Sequence, residues 1–298
     1  FTALLFAARS GDVAMARLLL DSEADIETVA GNETSALVIA THSGHPGLAE
    51  LLLERGANAN TIGAGYTALH AAILRGDLET VNALLAHGAD PEARLLRPNP
   101  VQRASEDWSL KGPMVGATPY WLAASFREAD IMRALVEGRA DPTATNEGRL
   151  SIPRNREDRE FYTAKVVSGF ESSLQAAIRG DSTRSRYYVQ PNPDPAGERR
   201  LALDAVLAAV EHGVDLNHRD FSESTALHDA AARKLPNIIR ELAERGADVH
   251  ALNARGQTPL DLAIAAESRV NFFDFSVSTP GPSASEVLLE FSAAQSER

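Results

Sequence analysis

Histidine is the residue type in this sequence with the widest chemical capacity, because imidazole can bind a metal ion or move a proton near neutral pH. The chain has eight histidines in 298 residues. They occur at His42, His45, His70, His87, His212, His218, His228 and His250. They do not follow the ligand spacing of a metal site, and no His-Glu-x-x-His motif occurs. We therefore expect no metal centre and no catalytic histidine.

Other groups that could carry chemistry point the same way. The chain has no cysteine, which excludes disulfides, thiolate catalysis and cysteine-based zinc sites. Gly63 and Gly65 lack the third glycine of a dinucleotide-binding loop, and no Gly-x-Ser-x-Gly motif occurs. The abundant Asp and Glu residues fit turns and solvated helix faces. The sequence therefore predicts a non-enzymatic protein with no cofactor.

A short sequence motif recurs along the chain and indicates which secondary-structure elements position the histidines and the other polar residues. Residues 67–72 read Thr-Ala-Leu-His-Ala-Ala, and residues 225–230 read Thr-Ala-Leu-His-Asp-Ala. Three intervals between such blocks are 32 or 33 residues long, and three are 51 to 54 residues long. A fixed period of this size is typical of a solenoid whose units stack on their neighbours. The blocks begin at seven residues, Thr2, Ser35, Thr67, Thr118, Ser172, Thr225 and Thr258.

Each block carries the signals of a helix, a turn and a second helix. The opening Thr or Ser can cap the first helix, and Pro119 and Pro259 suit the first helical position, where no N–H is needed. Leucine pairs and triplets give the second helix an apolar stripe. A glycine that can adopt a left-handed conformation then follows the second helix, at Gly56, Gly88, Gly213 and Gly246.

This pattern resembles the ankyrin repeat family over nearly the whole chain, with an extended centre that looks like bacterial members. Five features recur in register: the cap, the Leu-His pair, the small residues, the leucines and a Gly-Ala-Asp turn after the second helix. We call this three-residue turn, as in residues 88–90 and 246–248, the coda. The resemblance implies an all-α ankyrin repeat solenoid, a single domain over residues 1–298 with about seven stacked helix-turn-helix units and finger loops. We place the units near residues 1–30, 31–62, 63–93, 116–144, 171–217, 221–253 and 254–292. Long insertions are predicted at residues 94–115, 145–170, 182–200 and 267–283.

The resemblance also implies structural roles for residues that could otherwise look functional. In this family the Leu-His histidine hydrogen-bonds loops of adjacent repeats, so we expect His70 and His228 to stabilise the stack. Trp121 replaces that histidine in the fourth unit. We expect its side chain to be packed between repeats and the preceding finger.

The insertions differ from the rest of the chain in charge. Residues 94–115, 147–170 and 182–200 together hold 13 basic and 8 acidic residues, a net charge of +5, whereas the remainder has a net charge of −17. Arginine and aromatic side chains, which these segments contain, are enriched at binding hot spots. Two interpretations stay open: the insertions form a partner surface, or their aromatics pack on the solenoid while their arginines pair with its acidic side.

The overall charge and hydropathy narrow the class of partner. A net charge of −12 disfavours nucleic acid and anionic lipid, and no apolar run is long enough to span a membrane. We expect a protein partner, whose surface is acidic if the basic insertions contact it. Residue Phe1 falls inside a predicted helix, so we expect further sequence upstream, and the compartment stays open between cytoplasm, periplasm and the exterior.

The concave groove of an ankyrin stack consists of first helices and fingers, and the resemblance implies that partners bind there. Leu74 and Phe126 stand at groove positions and are either covered by the first long finger or form an apolar anchor. We predict binding by groove and insertion residues together, namely Leu74, Arg75, Trp108, Phe126, Arg154, Arg156, Tyr162, Arg184, Arg186, Tyr187, Tyr188 and Arg233.

The leading functional hypothesis is a non-catalytic protein-interaction module or scaffold. A structural accessory subunit, or a solenoid that self-associates through an uncapped end, is one alternative, because terminal repeats need a polar outer face. A regulatory domain of a longer enzyme is another.

Overall fold

The protein is a stack of seven helix pairs. The computed structural model describes residues 2–97, 110, 114–146, 170–180, 195–268 and 281–296. The first helices of the pairs are α1 (Ala3–Ser10), α3 (Ala36–Ser43), α5 (Ala68–Arg75), α7 (Pro119–Ser125), α9 (Ser173–Arg179), α11 (Ala226–Ala232) and α13 (Pro259–Glu267). The second helices are α2 (Val13–Asp21), α4 (Pro46–Glu54), α6 (Leu78–Ala86), α8 (Ala129–Glu137), α10 (Pro195–Glu211), α12 (Pro236–Glu244) and α14 (Ala284–Ser296). Within the described ranges there are isolated β-bridges but no strands, which confirms the predicted all-α solenoid.

The predicted helix boundaries follow from capping. Ser35, Thr67, Thr118 and Ser172 each accept a hydrogen bond from the amide three residues later, as an N-cap does. Pro119 and Pro259 occupy the first helical position that we assigned to them. The four glycines expected after second helices all have positive φ, at Gly56 (88°), Gly88 (79°), Gly213 (79°) and Gly246 (92°).

The core runs continuously along the stack. Each inner first helix packs against the first helices of the two neighbouring pairs, and the second helices form a parallel outer layer. Leu37, Leu69 and Leu227 of the repeated motif are at most 2% exposed. The alanine pairs Ala71-Ala72 and Ala230-Ala231 are buried as well, so that the helices can approach closely.

A polar ladder joins neighbouring repeats beside this core. The side-chain oxygen two residues after one coda accepts the backbone N–H of the last residue of the next coda. Asn60 accepts from Asp90 (2.7 Å), and Asn217 accepts from Asp248 (2.8 Å). Glu92 accepts from Asp141 across the first long insertion (2.7 Å). The ladder holds the repeats in register despite the insertion.

We number as fingers the loops that connect one pair to the next. Their described residues are finger 1 (29–35), finger 2 (62–66), finger 3 (95–97, 110 and 114–117), finger 4 (146 and 170–171), finger 5 (219–224) and finger 6 (252–257). The third predicted insertion, 182–200, ends inside α10, because this long helix begins at Pro195. No helix among the described residues is long and apolar enough to cross a membrane.

Candidate functional site

Two of the predicted groove residues are buried. Leu74 is 1% exposed and Phe126 is 3% exposed, and both belong to the continuous hydrophobic core. Leu95, Leu110 and Met114 of finger 3 join the same core cluster. The expectation that Leu74 and Phe126 form an apolar anchor is therefore corrected, since neither side chain is available at the surface.

The described residues of finger 3, most of which belong to the first insertion, are hydrogen-bonded to the solenoid. The backbone N–H of Leu96 donates to the carbonyl of Gly65 (2.8 Å) in finger 2. Arg94 donates to the carbonyls of Gly116 (2.8 Å) and Thr145 (3.1 Å), and Arg97 donates to the carbonyl of Ala64 (3.1 Å). These residues of the insertion are attached to the solenoid by buried apolar side chains and by arginines that bind backbone carbonyls. The packed interpretation itself concerns aromatics, and Trp108 of this insertion lies outside the described residues.

The other predicted site residues divide between the groove and the undescribed segments. Arg75 is half-buried, and its guanidinium lies against Gly44 of the preceding repeat, where a β-carbon would be within 2.2 Å of Nη2. Burial lowers the pKa of Arg75. Arg233 is exposed, with Nη2 3.5 Å from the carbonyl oxygen of Arg179. The remaining predictions lie outside the described residues: Trp108, Arg154, Arg156, Tyr162, Arg184, Arg186, Tyr187 and Tyr188.

The expected role of the Leu-His histidines in the stack is confirmed for His228. His228 is almost fully buried, and its Nε2 donates to the carbonyl of Gln257 in finger 6 (3.0 Å). His70 accepts the N–H of Thr67 at Nδ1 (3.2 Å), whereas its buried Nε2 makes no hydrogen bond to a neighbouring repeat among the described residues. Burial lowers the pKa of His70 to about 4, so the ring is neutral at physiological pH. In the described part of the chain, no three His, Asp or Glu side chains group as metal ligands.

Trp121 of α7 is hydrogen-bonded to finger 4. The indole of Trp121 is 5% exposed, and its Nε1–H donates to the carbonyl of Glu171 (3.1 Å). The burial and this contact confirm that Trp121 is packed between repeats, and the finger that it binds is the following one rather than the preceding one that we named. Since finger 4 is reached by a predicted insertion, the bond also fixes the point at which the chain returns to the solenoid.

A charged cluster between the fifth and sixth pairs was not predicted from the sequence. Arg179 lies within 3.1 Å of Glu171 and 2.9 Å of Asp229, and it also pairs with Asp220. Burial raises the pKa of Glu171 and of Asp229, and Arg179 counteracts this rise in both. The carboxylates in turn raise the pKa of Arg179 although burial opposes its charge. A signal existed in the sequence, because Asp229 occupies a first-helix position that is apolar in the preceding units.

Exposed apolar side chains are confined to particular parts of the stack. Of the ten large apolar residues that are exposed in the described ranges, three lie in the first helix pair and two in the last. The other five lie in or directly at the fingers, and they are Val29, Leu96, Phe170, Phe221 and Leu252. The finger edge of the inner repeats is thus the apolar surface that stacking does not cover.

Comparison with known proteins agrees with this architecture. A curated mouse protein, the B-cell lymphoma 3 protein homolog, is 38% identical over 199 residues, 66% of this chain and 39% of its own length. The chain thus spans well under half of that relative. The human ASB11 ankyrin repeat domain has 22% identity and a TM-score of 0.64 with 98% of both chains covered. The Bcl-3 ankyrin repeat domain has 21% identity and a TM-score of 0.58, covering 88% of this chain and 94% of that one.

Models of the ankyrin repeat family match most of this sequence directly. The description "Ankyrin repeats (3 copies)" applies to residues 4–95 and 65–146, and "Ankyrin repeats (many copies)" applies to residues 210–263. Together these matches cover more than half of the chain, in the repeats on both sides of the central insertions. The chain therefore belongs to the ankyrin repeat family.

Proposed function

We propose that this protein is a non-catalytic interaction module that binds a protein partner along its finger edge and the adjoining concave groove. The observation that carries the proposal is that the exposed large apolar side chains of the inner repeats, among the described residues, all lie at the fingers. Apolar surface that stays exposed in an otherwise well-packed protein marks a site of association. Arg75 and Arg233 at the ends of α5 and α11 belong to the same proposed surface.

The charge distribution supports a protein partner with acidic groups. The insertions carry a net charge of +5 on a frame of −17, so an acidic patch on the partner would be attracted locally and repelled elsewhere. Such a pattern restricts the orientation of binding more than it increases affinity. Trp108, Tyr162, Tyr187 and Tyr188, with the four insertion arginines, are proposed to extend the surface.

A substitution on the finger edge tests the proposed function. Peptides that bind the intact chain are selected from a displayed random-peptide library, and their dissociation constants are measured by fluorescence anisotropy. Replacing Phe221 with serine is expected to weaken binding at least about tenfold, because truncation of an aromatic hot-spot residue costs about 2 kcal/mol or more. The matched control is Leu289→Ser, which changes a similarly exposed residue on α14 and is expected to leave binding unchanged.

Two results would contradict the proposed function. If no library peptide binds the intact chain more tightly than about 100 μM, or about −5.5 kcal/mol, the finger edge is not a peptide-binding surface. If both variants weaken binding equally, the interaction is non-specific adhesion to apolar side chains.

A second candidate function, self-association, is favoured by the first helix pair. Met15 and Leu18 are 45% and 62% exposed, whereas the corresponding Leu48 and Leu51 of the second pair are 1% and 3% exposed. The preceding repeat covers the latter two side chains, and the described structure leaves the former two open. We propose that a second copy of this chain can occupy that face.

Light scattering coupled to size exclusion tests self-association. The chain is expected to form dimers as its concentration rises through about 10–100 μM, and Leu18→Glu is expected to abolish them because a buried charge in an apolar interface is strongly unfavourable. The control Leu289→Glu places the same charge on the last pair. A monomer at every concentration would contradict this candidate, as would equal dimerisation of both variants.

A further inference from the structure

One exposed aromatic residue of the finger edge has an unusual backbone conformation. Phe170 in finger 4 has a φ of +67° and is 58% exposed. All five corresponding residues also have positive φ. Three are glycines, Gly65 (89°), Gly116 (87°) and Gly256 (70°), and two are glutamates, Glu33 (63°) and Glu223 (56°). The turn therefore requires a left-handed residue, and finger 4 supplies a bulky aromatic where glycine is favoured.

Packing within the chain does not explain this choice. Left-handed backbone is unfavourable for residues with a β-carbon and rare for bulky ones. A residue held in such a conformation is usually offset by contacts elsewhere or has a role in binding. Because most of the Phe170 side chain faces solvent, internal packing offers little compensation, so a role in binding accounts better for its presence.

The backbone around Phe170 is held firmly. Its N–H donates to the carbonyl of Asn146 (2.9 Å), a residue that is 1% exposed. Its carbonyl accepts a hydrogen bond from Nε2 of His218, just before finger 5. The following residue, Glu171, bonds Trp121 and Arg179. The ring is thus presented from a fixed base, which reduces the entropy lost on binding.

Exposed apolar side chains continue on the next two fingers. Phe221 of finger 5 is 64% exposed and Leu252 of finger 6 is 52% exposed. These fingers are tied to each other, because Ala254 N–H donates to the carbonyl of Ser222 (2.9 Å) and Arg219 donates to the carbonyl of Leu252 (2.9 Å). The three side chains lie on three consecutive fingers, at two, four and six residues before the helix caps Ser172, Thr225 and Thr258. We call Phe170, Phe221 and Leu252 the apolar row.

One positively charged side chain beside the apolar row, Arg255, could bind an anionic group of a partner. Arg219 is paired with Glu223 (3.5 Å). Arg255 at the tip of finger 6 is exposed, and within the described ranges no carboxylate lies within ion-pair distance of it. In a chain with a net charge of −12, an exposed arginine next to an apolar surface favours a carboxylate on the partner.

We infer that the apolar row and Arg255 bind one protein segment, which presents apolar side chains to fingers 4, 5 and 6 and a carboxylate toward Arg255. Phe170 determines the specificity of this surface because its fixed ring is the feature that distinguishes finger 4 from the glycine-containing fingers. The inference rests on the proposed function and names the partner chemistry of the same surface.

Replacement of Phe170 with glycine separates binding from folding. The probe is the set of library-selected peptides described above. Phe170→Gly is expected to weaken their binding at least about tenfold, while the melting temperature rises by about 1–4 °C as the left-handed strain is relieved. The matched control is Glu33→Gly, which removes a side chain at the corresponding position of finger 1, where φ is 63°. That variant is expected to gain the same stability with binding unchanged.

A charge exchange tests the carboxylate. Arg255→Glu is expected to weaken binding about tenfold, and a peptide whose Asp or Glu is replaced with Lys is expected to recover most of the loss. If Phe170→Gly binds as tightly as the unaltered chain while Phe221→Ser does not, this inference is wrong and the proposed function stands. If selected peptides lack acidic residues, the assignment to Arg255 is wrong. If no peptide binds the unaltered chain, both proposals fail together.

Discussion

Replacing Arg179 with methionine is expected to lower the free energy of unfolding by about 3–5 kcal/mol near neutral pH. The guanidinium contacts Glu171 and Asp229 and is paired with Asp220, and these three carboxylate side chains are only 16%, 11% and 9% exposed. Without the arginine, three buried negative charges would face each other between the fifth and sixth helix pairs. One oxygen of Asp229, Oδ2, already lacks a hydrogen-bond partner.

The loss is expected to shrink as the pH falls. Burial raises the pKa of Glu171 and Asp229 in the folded protein above the unfolded value. Groups of this kind contribute stability that is fully present below their unfolded pKa and is lost as the pH rises through the folded pKa. Arg179 opposes that rise, so its removal raises both pKa values further. The carboxylates of the variant then become protonated, and their repulsion is relieved, at a higher pH than in the unaltered chain.

Urea denaturation followed by circular dichroism at about pH 7.5 and about pH 5 measures both effects. The control is Arg245→Met, which removes the exposed i,i+4 pair with Glu241 and is expected to cost at most about 1 kcal/mol at either pH. A loss of less than about 1 kcal/mol for Arg179→Met at pH 7.5 would show that the cluster contributes no more than a surface pair. A loss independent of pH would exclude the carboxylates as its cause.

Replacing Trp121 with alanine is expected to destabilise the protein by about 3–5 kcal/mol. The indole is 5% exposed, and its N–H donates to the carbonyl of Glu171. The substitution creates a cavity between repeats and removes the donor that fixes finger 4. Loss of the donor adds to the cost, because a buried carbonyl without a partner is unfavourable.

Thermal and urea unfolding of two Trp121 variants separate these contributions. Trp121→Phe keeps most of the apolar volume and removes the donor, so we expect a loss of about 1–2 kcal/mol. Trp121→Ala loses both. Equal losses in the two variants would indicate that the hydrogen bond, rather than packing, holds the indole in place, and a negligible loss in alanine would contradict the packed position altogether.

Much of the fold follows from local sequence signals. The N-cap hydrogen bonds of Ser35 and Thr67 span three residues, and the left-handed conformation of Gly88 depends only on the helix that it follows. Such interactions lie within one helical turn, and they recur along the chain because the sequence motif recurs. Seven helix pairs, the role of His228 and the packing of Trp121 could therefore be predicted.

The surface could be predicted only in part. Leu74 stands at a position that is exposed in a regular ankyrin groove, and its burial depends on a core to which a finger some 20–40 residues further along contributes Leu95, Leu110 and Met114. The backbone of Phe170 likewise depends on a long-range partner, because its N–H donates to the carbonyl of Asn146 at the other end of the second insertion. No periodic pattern specifies how an insertion returns to the stack.

The sequence by itself determined the repeat, the helix pairs, the starts of the capped first helices and the acidic frame with basic insertions. Only the tertiary structure decided which groove residues are buried, which carboxylates surround Arg179, and which apolar side chains remain exposed on the fingers. The physical reason is the range of the interactions. Capping and helical periodicity act between residues a few positions apart, whereas burial and charge pairing at the surface depend on side chains from different repeats.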